Sequence, residues 1–115
     1  MFWTDNGEII SRPFTAVDAD REIVLSTNRS FEIVLPSNPT SGYHWNLEID
    51  HPQVVLNSHH RFEPDRSGRI GVGGETTWFL RTRSDGIATL TYSYQLSSEV
   101  ERHPTRVVTF RIVVR

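Results

Sequence analysis

The chain has 115 residues, and its twelve basic and fourteen acidic side chains leave a formal net charge of −2. This length fits one ordinary domain, and the nearly balanced charge argues against nucleic acid or an anionic membrane as an electrostatic partner. The sequence contains no cysteine and no lysine, which excludes disulfides, thiolate metal sites, thiol nucleophiles and lysine chemistry, so the fold must depend on packing alone.

Apolar runs in the sequence are too short for a membrane span. The longest have three residues, such as Ile23-Val24-Leu25, whereas a spanning helix needs about 20. The first residues contain neither the basic region nor the apolar region of a secretory signal. We therefore expect a soluble chain without membrane contact, either cytoplasmic or the processed form of an exported protein.

Residues 1–20 show no clear period, and we expect an extended arm or an edge strand there, ahead of a domain over residues 21–115. From residue 21 onward apolar and polar residues alternate, which is the pattern of half-buried strands. One such run sets Phe31, Ile33 and Leu35 on one face, opposite Glu32 and Val34. The alternation predicts strands over residues 21–26, 31–35, 44–49, 59–63, 76–81, 88–94 and 108–115.

Turn residues separate these runs, at residues 37–39, 67–68, 71–74 and 85–86. A parallel sheet would need crossover helices, and helical spacing is scarce. The sequence therefore predicts an all-β fold, an immunoglobulin-like antiparallel β-sandwich of about seven strands. Because there is no cysteine, this sandwich lacks the disulfide of antibody domains.

Residues 36–45 contain more turn-forming residues than a strand connection requires. Pro39 fixes its own φ and pushes Asn38 out of the helical region, while Gly42 permits a positive φ. We therefore expect a loop with a fixed shape. The simpler interpretation is an ordinary connection followed by Trp45 as the core tryptophan of the next strand.

A second unusual segment, residues 66–75, has four glycines within the seven positions 68–74. Glycines cost conformational entropy on folding, but they let a backbone approach another surface closely. A phosphate site is not indicated, because no lysine follows and the next element alternates as a strand rather than a helix. The simpler interpretation of this segment is a flexible hairpin.

Both segments resemble motifs of one family. Residues 38–45 have the sequence Asn-Pro-Thr-Ser-Gly-Tyr-His-Trp, which resembles the N-P-T-T-G-[FY]-x-W signature of the chagasin-like inhibitors of papain-type cysteine peptidases and differs at one hydroxyl residue. Residues 71–74, Gly-Val-Gly-Gly, precede Trp78 and resemble the G-x-G-G loop of that family with the strand after it. The resemblance covers residues 21–115.

The resemblance implies an inhibitor without cofactors, not an enzyme, built as a seven-stranded immunoglobulin-like sandwich. Loops at one end would form a wedge that enters the cleft of a papain-like cysteine protease, of the cathepsin L or B type, and blocks it reversibly without covalent chemistry. Trp45 and Trp78 would support the wedge inside the sandwich, and the free inhibitor would be a monomer. The implied protease-binding residues are Asn38, Pro39, Thr40, Ser41, Gly42 and Tyr43 in a central loop, and Gly71, Val72, Gly73 and Gly74 in a glycine loop.

The third loop departs from that family's pattern. In the family an R-P-W triplet follows the sixth strand, whereas here residues 95–106 contain no Trp, and only residues 102–104 faintly resemble the triplet. A buried Trp often dominates interface energy, at ~2 kcal/mol or more. Leu96, Val100 and His103 are candidates to replace it. The alternative function is an immunoglobulin-like adhesion or ligand-binding module with a diverged third loop and no inhibitory activity.

Other polar residues give no clear catalytic or metal site. His59 and His60 are adjacent, so on a strand they would point to opposite faces, and neither has the spacing of a zinc helix. Ser41 and His44 lack both a nucleophile elbow and an orienting acid. We therefore expect neither a bound metal nor hydrolytic activity.

Three arginines, Arg61, Arg66 and Arg69, flank the glycine-rich segment together with Glu63 and Asp65. Their simplest interpretation is a solvated surface. The more specific hypothesis is that they steer the chain toward an acidic rim on a protease.

Overall fold

Seven strands and two short 3-10 turns make up the regular structure of the described residues. A computed structural model of the chain describes residues 13–65, 73–96 and 104–115. The strands are β1 (Glu22–Leu25), β2 (Ser30–Ser37), β3 (Tyr43–Ile49), β4 (Val55–Pro64), β5 (Gly74–Thr82), β6 (Gly86–Leu96) and β7 (Arg106–Val114), and the 3-10 turns cover Ala16–Asp18 and Pro39–Ser41. Within these described ranges, no helix is long and apolar enough to cross a membrane.

The strands form two sheets around one core. The four-stranded sheet has the order β1, β7, β6, β3, and the three-stranded sheet has the order β2, β5, β4. The predicted immunoglobulin-like antiparallel β-sandwich is confirmed, with one exception to the antiparallel pairing: β1 and β7 are parallel. These two strands lie near opposite ends of the sequence, so no hairpin dictates their relative direction.

Alternation places one face of each strand in the core, as predicted. The inward residues of β2 and β7, and the first three of β6, are buried. β3 differs, because its inward residues Trp45, Leu47 and Ile49 are only half-buried. Each fully buried large apolar side chain contributes about 1.5 to 3 kcal/mol by leaving water.

The N-terminal segment supplies a core residue that the sequence pattern did not indicate. Phe14 is fully buried and packs edge-on against Phe31, with ring centroids 6.1 Å apart. Its backbone forms a parallel bridge with Ile33, in which the Phe14 N–H donates to the Glu32 carbonyl and the Val34 N–H donates to the Phe14 carbonyl, both at 2.9 Å. The core therefore extends beyond residues 21–115, and the domain boundary at residue 21 stays a prediction.

The strand β4 is longer than the strand predicted over residues 59–63. It covers Val55–Pro64 at the edge of its sheet, and its register with β5 shifts between Asn57 and His59. The Ser58 hydroxyl at this bulge donates to the Phe79 carbonyl at 2.9 Å. Bulges and exposed polar residues are common protections of edge strands, and they interrupt the alternation on which the prediction relied.

The strand register brings three connections to one end of the sandwich. Ser37, at the end of β2, pairs with Gly74 at the start of β5, and Pro64 at the end of β4 pairs with the same glycine from the other side. Tyr43, at the start of β3, pairs with Leu96 at the end of β6. The connections from β2 to β3, β4 to β5 and β6 to β7 therefore leave the same end. We call it the loop end, and the opposite end the far end.

A carboxylate at the far end joins β3 to β6. Asp50 follows β3 directly, and its Oδ1 accepts a hydrogen bond from the Thr89 N–H at 2.7 Å. This hydrogen bond, assisted by the adjacent His51 imidazole, lowers the pKa of Asp50 below its ordinary value. A lowered carboxyl pKa adds stability above the unfolded value of about 3.9, and that stability is lost as pH falls through the folded pKa.

We expect Asp50→Asn to lower the free energy of unfolding at pH 7 by less than about 1 kcal/mol, because water screens this half-exposed carboxylate. The difference from wild type should shrink as the pH falls below the unfolded value of about 3.9, and it should disappear below the lowered folded pKa, where the wild-type carboxylate is protonated. Urea denaturation at several pH values measures both quantities. Asp85→Asn changes an exposed carboxylate of the same end and serves as the control. Parallel pH curves for wild type and Asp50→Asn would contradict this role.

Candidate functional site

The central loop, residues 38–43, contains a single 3-10 turn. Pro39 occupies the first position of the turn, where its fixed φ fits and its missing N–H leaves nothing unpaired. The Ser41 N–H donates to the Asn38 carbonyl at 3.0 Å and the Gly42 N–H to the Pro39 carbonyl at 3.1 Å. Gly42 ends the turn with φ +85°, a left-handed conformation that glycine adopts without strain. The residues that predicted a fixed shape thus occupy the positions that produce one.

Side-chain hydrogen bonds tighten the same turn. The Thr40 hydroxyl donates to Asn38 Oδ1 at 2.5 Å, and the Ser41 hydroxyl donates to the Asn38 carbonyl at 2.6 Å. The Tyr43 N–H donates to the Ser41 hydroxyl at 3.3 Å. Pro39, Thr40 and Ser41 are all exposed, so the tip of the loop meets solvent with these polar groups already bonded to one another.

Trp45 connects β3 to the start of the central loop. Its indole N–H donates to the Pro36 carbonyl at 2.9 Å, and its ring lies 4.7 Å from that of Tyr94. Trp78 is inside the sandwich, with 4% of its surface exposed, and contacts the Tyr92 ring edge-on at 4.7 Å. The predicted interior position therefore holds fully for Trp78 but only in part for Trp45, which is half-buried.

The described part of the glycine loop lies directly against the central loop. Gly73 has φ +87°, and a Cβ at this position would stand 2.7 Å from the Ser37 carbonyl oxygen and 3.0 Å from Asn38 Cβ. A Cβ at Gly74 would run into the carbonyl oxygen of Glu63. Both positions therefore need glycine for close backbone approach. The remaining residues predicted for this loop, Gly71 and Val72, lie outside the described residues.

The connection from β6 to β7, residues 97–105, makes up most of the third loop. It begins at Leu96, beside Gly42 of the central loop. A Cβ at Gly42 would lie 3.6 Å from Leu96 Cδ1, an ordinary contact, and the Thr105 N–H donates to the Tyr94 carbonyl at 2.9 Å. The half-buried Leu96 is thus next to the central loop, whereas Val100 and His103, the other candidates to replace the missing Trp, lie outside the described residues.

The other polar clusters form no second site among the described residues. His59 stacks on the ring of Phe79 at 4.3 Å, while His60 lies 6.1 Å from Trp78, which agrees with their predicted opposite faces. In residues 13–65, 73–96 and 104–115, no three His, Asp or Glu side chains are grouped as metal ligands.

Of the three arginines near the glycine loop, only Arg61 is described. It is exposed and makes a long ion pair of 3.6 Å with Glu63. Such an exposed pair contributes little to the free energy of folding. Arg66 and Arg69 lie outside the described residues, so the hypothesis that these arginines steer association stays a prediction.

We expect Gly42→Ala to lower the free energy of unfolding by about 1 to 2 kcal/mol, the cost of holding a residue with a Cβ in the left-handed region. Crowding adds little, because the nearest atom to the new Cβ is 3.6 Å away. Gly42→Asn should lose less, since asparagine tolerates this conformation better. Thermal or urea denaturation of the pair provides the measurement, and equal losses for Ala and Asn would show that φ at this position is not what matters.

Comparison with known proteins identifies similar sequences over most of the chain. The family model described as "Chagasin family peptidase inhibitor I42" matches residues 24–114. The chain is 29% identical to Amoebiasin-2 of Entamoeba histolytica over 92 residues, which cover 79% of this chain and 75% of that protein.

Solved structures share the fold. The crystal structure of the cysteine protease inhibitor EhICP2 from Entamoeba histolytica superposes with a TM-score of 0.77 at 22% identity, over 90% of this chain and 94% of that chain. The structure of PbICP-C in complex with falcipain-2 superposes with a TM-score of 0.59 at 17% identity, over 95% of each chain. The matched region of the family model includes all three connections of the loop end.

Proposed function

The chain belongs to the chagasin family of peptidase inhibitors, and on this premise we propose that it blocks the active-site cleft of papain-like cysteine proteases reversibly, with the loop end. It is an inhibitor of cysteine proteases and not an enzyme. These relatives favour inhibition over the alternative of an immunoglobulin-like adhesion or ligand-binding module.

The contact between the central loop and the glycine loop is the observation that supports this proposal most. Gly73 lies against Ser37 and Asn38 with no room for a side chain, so it runs side by side with the start of the central loop, and we propose that the two loops form one narrow projection. A protease cleft accepts a narrow projection of this kind more readily than a flat sheet. The exposed turn Pro39–Ser41 forms its tip, and the glycine loop would contribute main-chain contacts along one side.

We assign the protease contact to the residues implied by the family motifs. In the central loop these are residues 38–43, with Thr40 and Ser41 at the tip facing the catalytic cysteine and histidine of the enzyme. In the glycine loop they are residues 71–74. Hydrogen bonds to Asn38 already fix the shape of the turn, so association would avoid the ~0.5 to 1.5 kcal/mol per side chain that ordering of a flexible loop costs.

Inhibition without a covalent bond is consistent with the chemistry of the loop. The chain has no cysteine, and the Ser41 hydroxyl is engaged by the Asn38 carbonyl and the Tyr43 N–H. Proteases cleave substrates bound in an extended, near-attack geometry. A 3-10 turn that ends in a left-handed Gly42 does not present an extended backbone, so we expect the loop to occupy the cleft without being cut.

The partner we propose is a papain-like enzyme of the cathepsin L or B type, bound by a monomeric inhibitor. A standard interface buries roughly 1,600 Å² in total, which three loops at one end of a small sandwich can supply. The complex of PbICP-C with falcipain-2 supports a protease as the partner of this fold.

Titration of papain or cathepsin L with the purified chain tests the proposal. We expect activity to fall stoichiometrically, the inhibitor to be recovered uncut by mass spectrometry, and activity to return on dilution. A complex eluting at the mass of one enzyme and one inhibitor would support the monomeric state. No inhibition at micromolar excess would overturn the proposal and leave the binding-module alternative.

A further inference from the structure

Three half-buried aromatic side chains form a stack just below the central loop. Tyr94 of β6 pairs with Trp45 of β3, and its ring lies 4.7 Å from the Trp45 ring and 5.3 Å from the Tyr43 ring. The Tyr43 and Tyr94 planes are only 23° apart, a stacked arrangement. Direct and diagonal pairs of this kind are the contacts that fix neighbouring strands on one face of a sheet.

The stack contacts the end of the central loop and the strand just before its start. Tyr43 follows Gly42 and is the last residue of the loop, so its ring holds the end of the turn. The Trp45 indole N–H donates to the Pro36 carbonyl at 2.9 Å, two residues before the loop begins. Tyr94 contacts both rings, and it is the one residue of the three that lies outside β3.

Tyr94 also belongs to the base of the third loop. Its carbonyl accepts the Thr105 N–H at 2.9 Å, and it pairs with Arg106 at the start of β7. Position 94 therefore contacts the central loop through its ring and closes the third loop through its backbone.

We propose that Tyr94 is a positioning residue for inhibition, whose ring sets the orientation of the central loop through Tyr43 and Trp45. This inference rests on the proposed function. Tyr94 itself need not touch the protease. Its role is to limit the conformations of the loop before binding, which lowers the ordering cost of association.

Two substitutions at position 94 distinguish the effect of the ring from that of its hydroxyl. A substitution at another position controls for the loss of stability. Tyr94→Ala removes the stack, whereas Tyr94→Phe keeps it. Ile49→Ala removes another half-buried side chain, one that packs against the core at the far end of β3. All assays are run well below the lowest melting temperature, so that every variant is folded.

The inhibition constant for papain is the first readout. We expect Tyr94→Ala to raise it at least tenfold, and Tyr94→Phe and Ile49→Ala to stay within twofold of wild type. A change below twofold for Tyr94→Ala, or an equal rise for Ile49→Ala, would overturn the proposal.

Amide exchange by NMR is the second readout, and it does not depend on inhibition. The Ser41 and Gly42 amides donate within the turn, and they should exchange several-fold faster in Tyr94→Ala than in Ile49→Ala. If the wild-type chain inhibited no papain-like protease, the proposed function would be wrong. The exchange rates of these two amides would still show whether Tyr94 positions the loop. Equal exchange in the two variants would overturn the inference alone.

Discussion

Gly73→Ala should weaken protease inhibition at least tenfold and also destabilise the fold. The substituted residue would hold φ near +87° with a side chain, at a cost of about 1 to 2 kcal/mol. Its Cβ would stand 2.7 Å from the Ser37 carbonyl oxygen and 3.0 Å from Asn38 Cβ, so one of the two loops has to move. Since the proposed wedge depends on their contact, affinity should fall with it. Inhibition assays and urea denaturation measure the two effects.

Gly86→Ala provides a matched control for that experiment. Gly86 also has a positive φ, and a Cβ there would approach Val54 Cγ2 at 2.9 Å, but it lies at the far end. We expect Gly86→Ala to lose stability and to keep the wild-type inhibition constant. If both variants inhibited like wild type, the contact between the two loops would have no part in binding.

Trp78→Ala should cause the largest loss of stability of any single change considered for this protein. The indole is 96% buried, contacts the Tyr92 ring edge-on, and belongs to the core at the middle of β5. Truncation of a buried Trp to Ala costs about 3 to 5 kcal/mol, much of the roughly 5 to 15 kcal/mol that keeps a small domain folded. The melting temperature should fall by more than about 10 °C. Calorimetry or circular dichroism measures this.

Phe79→Ala is the comparison for Trp78→Ala. Phe79 is the next residue of β5, is half-buried on the outer face, and stacks on His59. Phe79→Ala should lower the free energy of unfolding by less than half as much as Trp78→Ala, because water can occupy the space that the ring leaves. Similar losses at the two positions would contradict the assignment of Trp78 to the core beneath the loops.

Alternation and turn chemistry made most of the fold predictable. The runs around Phe31 and Phe110 alternate without interruption, so their buried faces follow from the period alone. Where other forces decided the outcome, the sequence pattern was insufficient. The bulge at Ser58 broke the alternation of β4, and the burial of Phe14 depends on a single bridge to Ile33 that no local pattern marks. The parallel pairing of β1 with β7 joins residues almost ninety positions apart, as in the pair of Glu22 with Arg111.

The candidate site was predictable where the motif sets the local backbone. Pro39 and Gly42 each have strong conformational preferences, and the turn they form follows from them. The support beneath the loop was not predictable in this way. Alternation places Tyr94 on the same strand face as Tyr92, but the sequence does not give the register that sets Tyr94 opposite Trp45. An aromatic residue at the loop-side end of a predicted strand is the signal that would have indicated this supporting position.

The loop end is proposed to enter the active-site cleft. Binding to a protease whose cleft is already filled tests this entry most directly. Papain is inactivated with a covalent peptidyl inhibitor that spans its cleft, and its dissociation constant for the chain is compared by calorimetry with that of untreated enzyme. We expect filling of the cleft to weaken binding at least a hundredfold. Equal affinity for the two forms would contradict the account, because it would place the chain elsewhere on the protease.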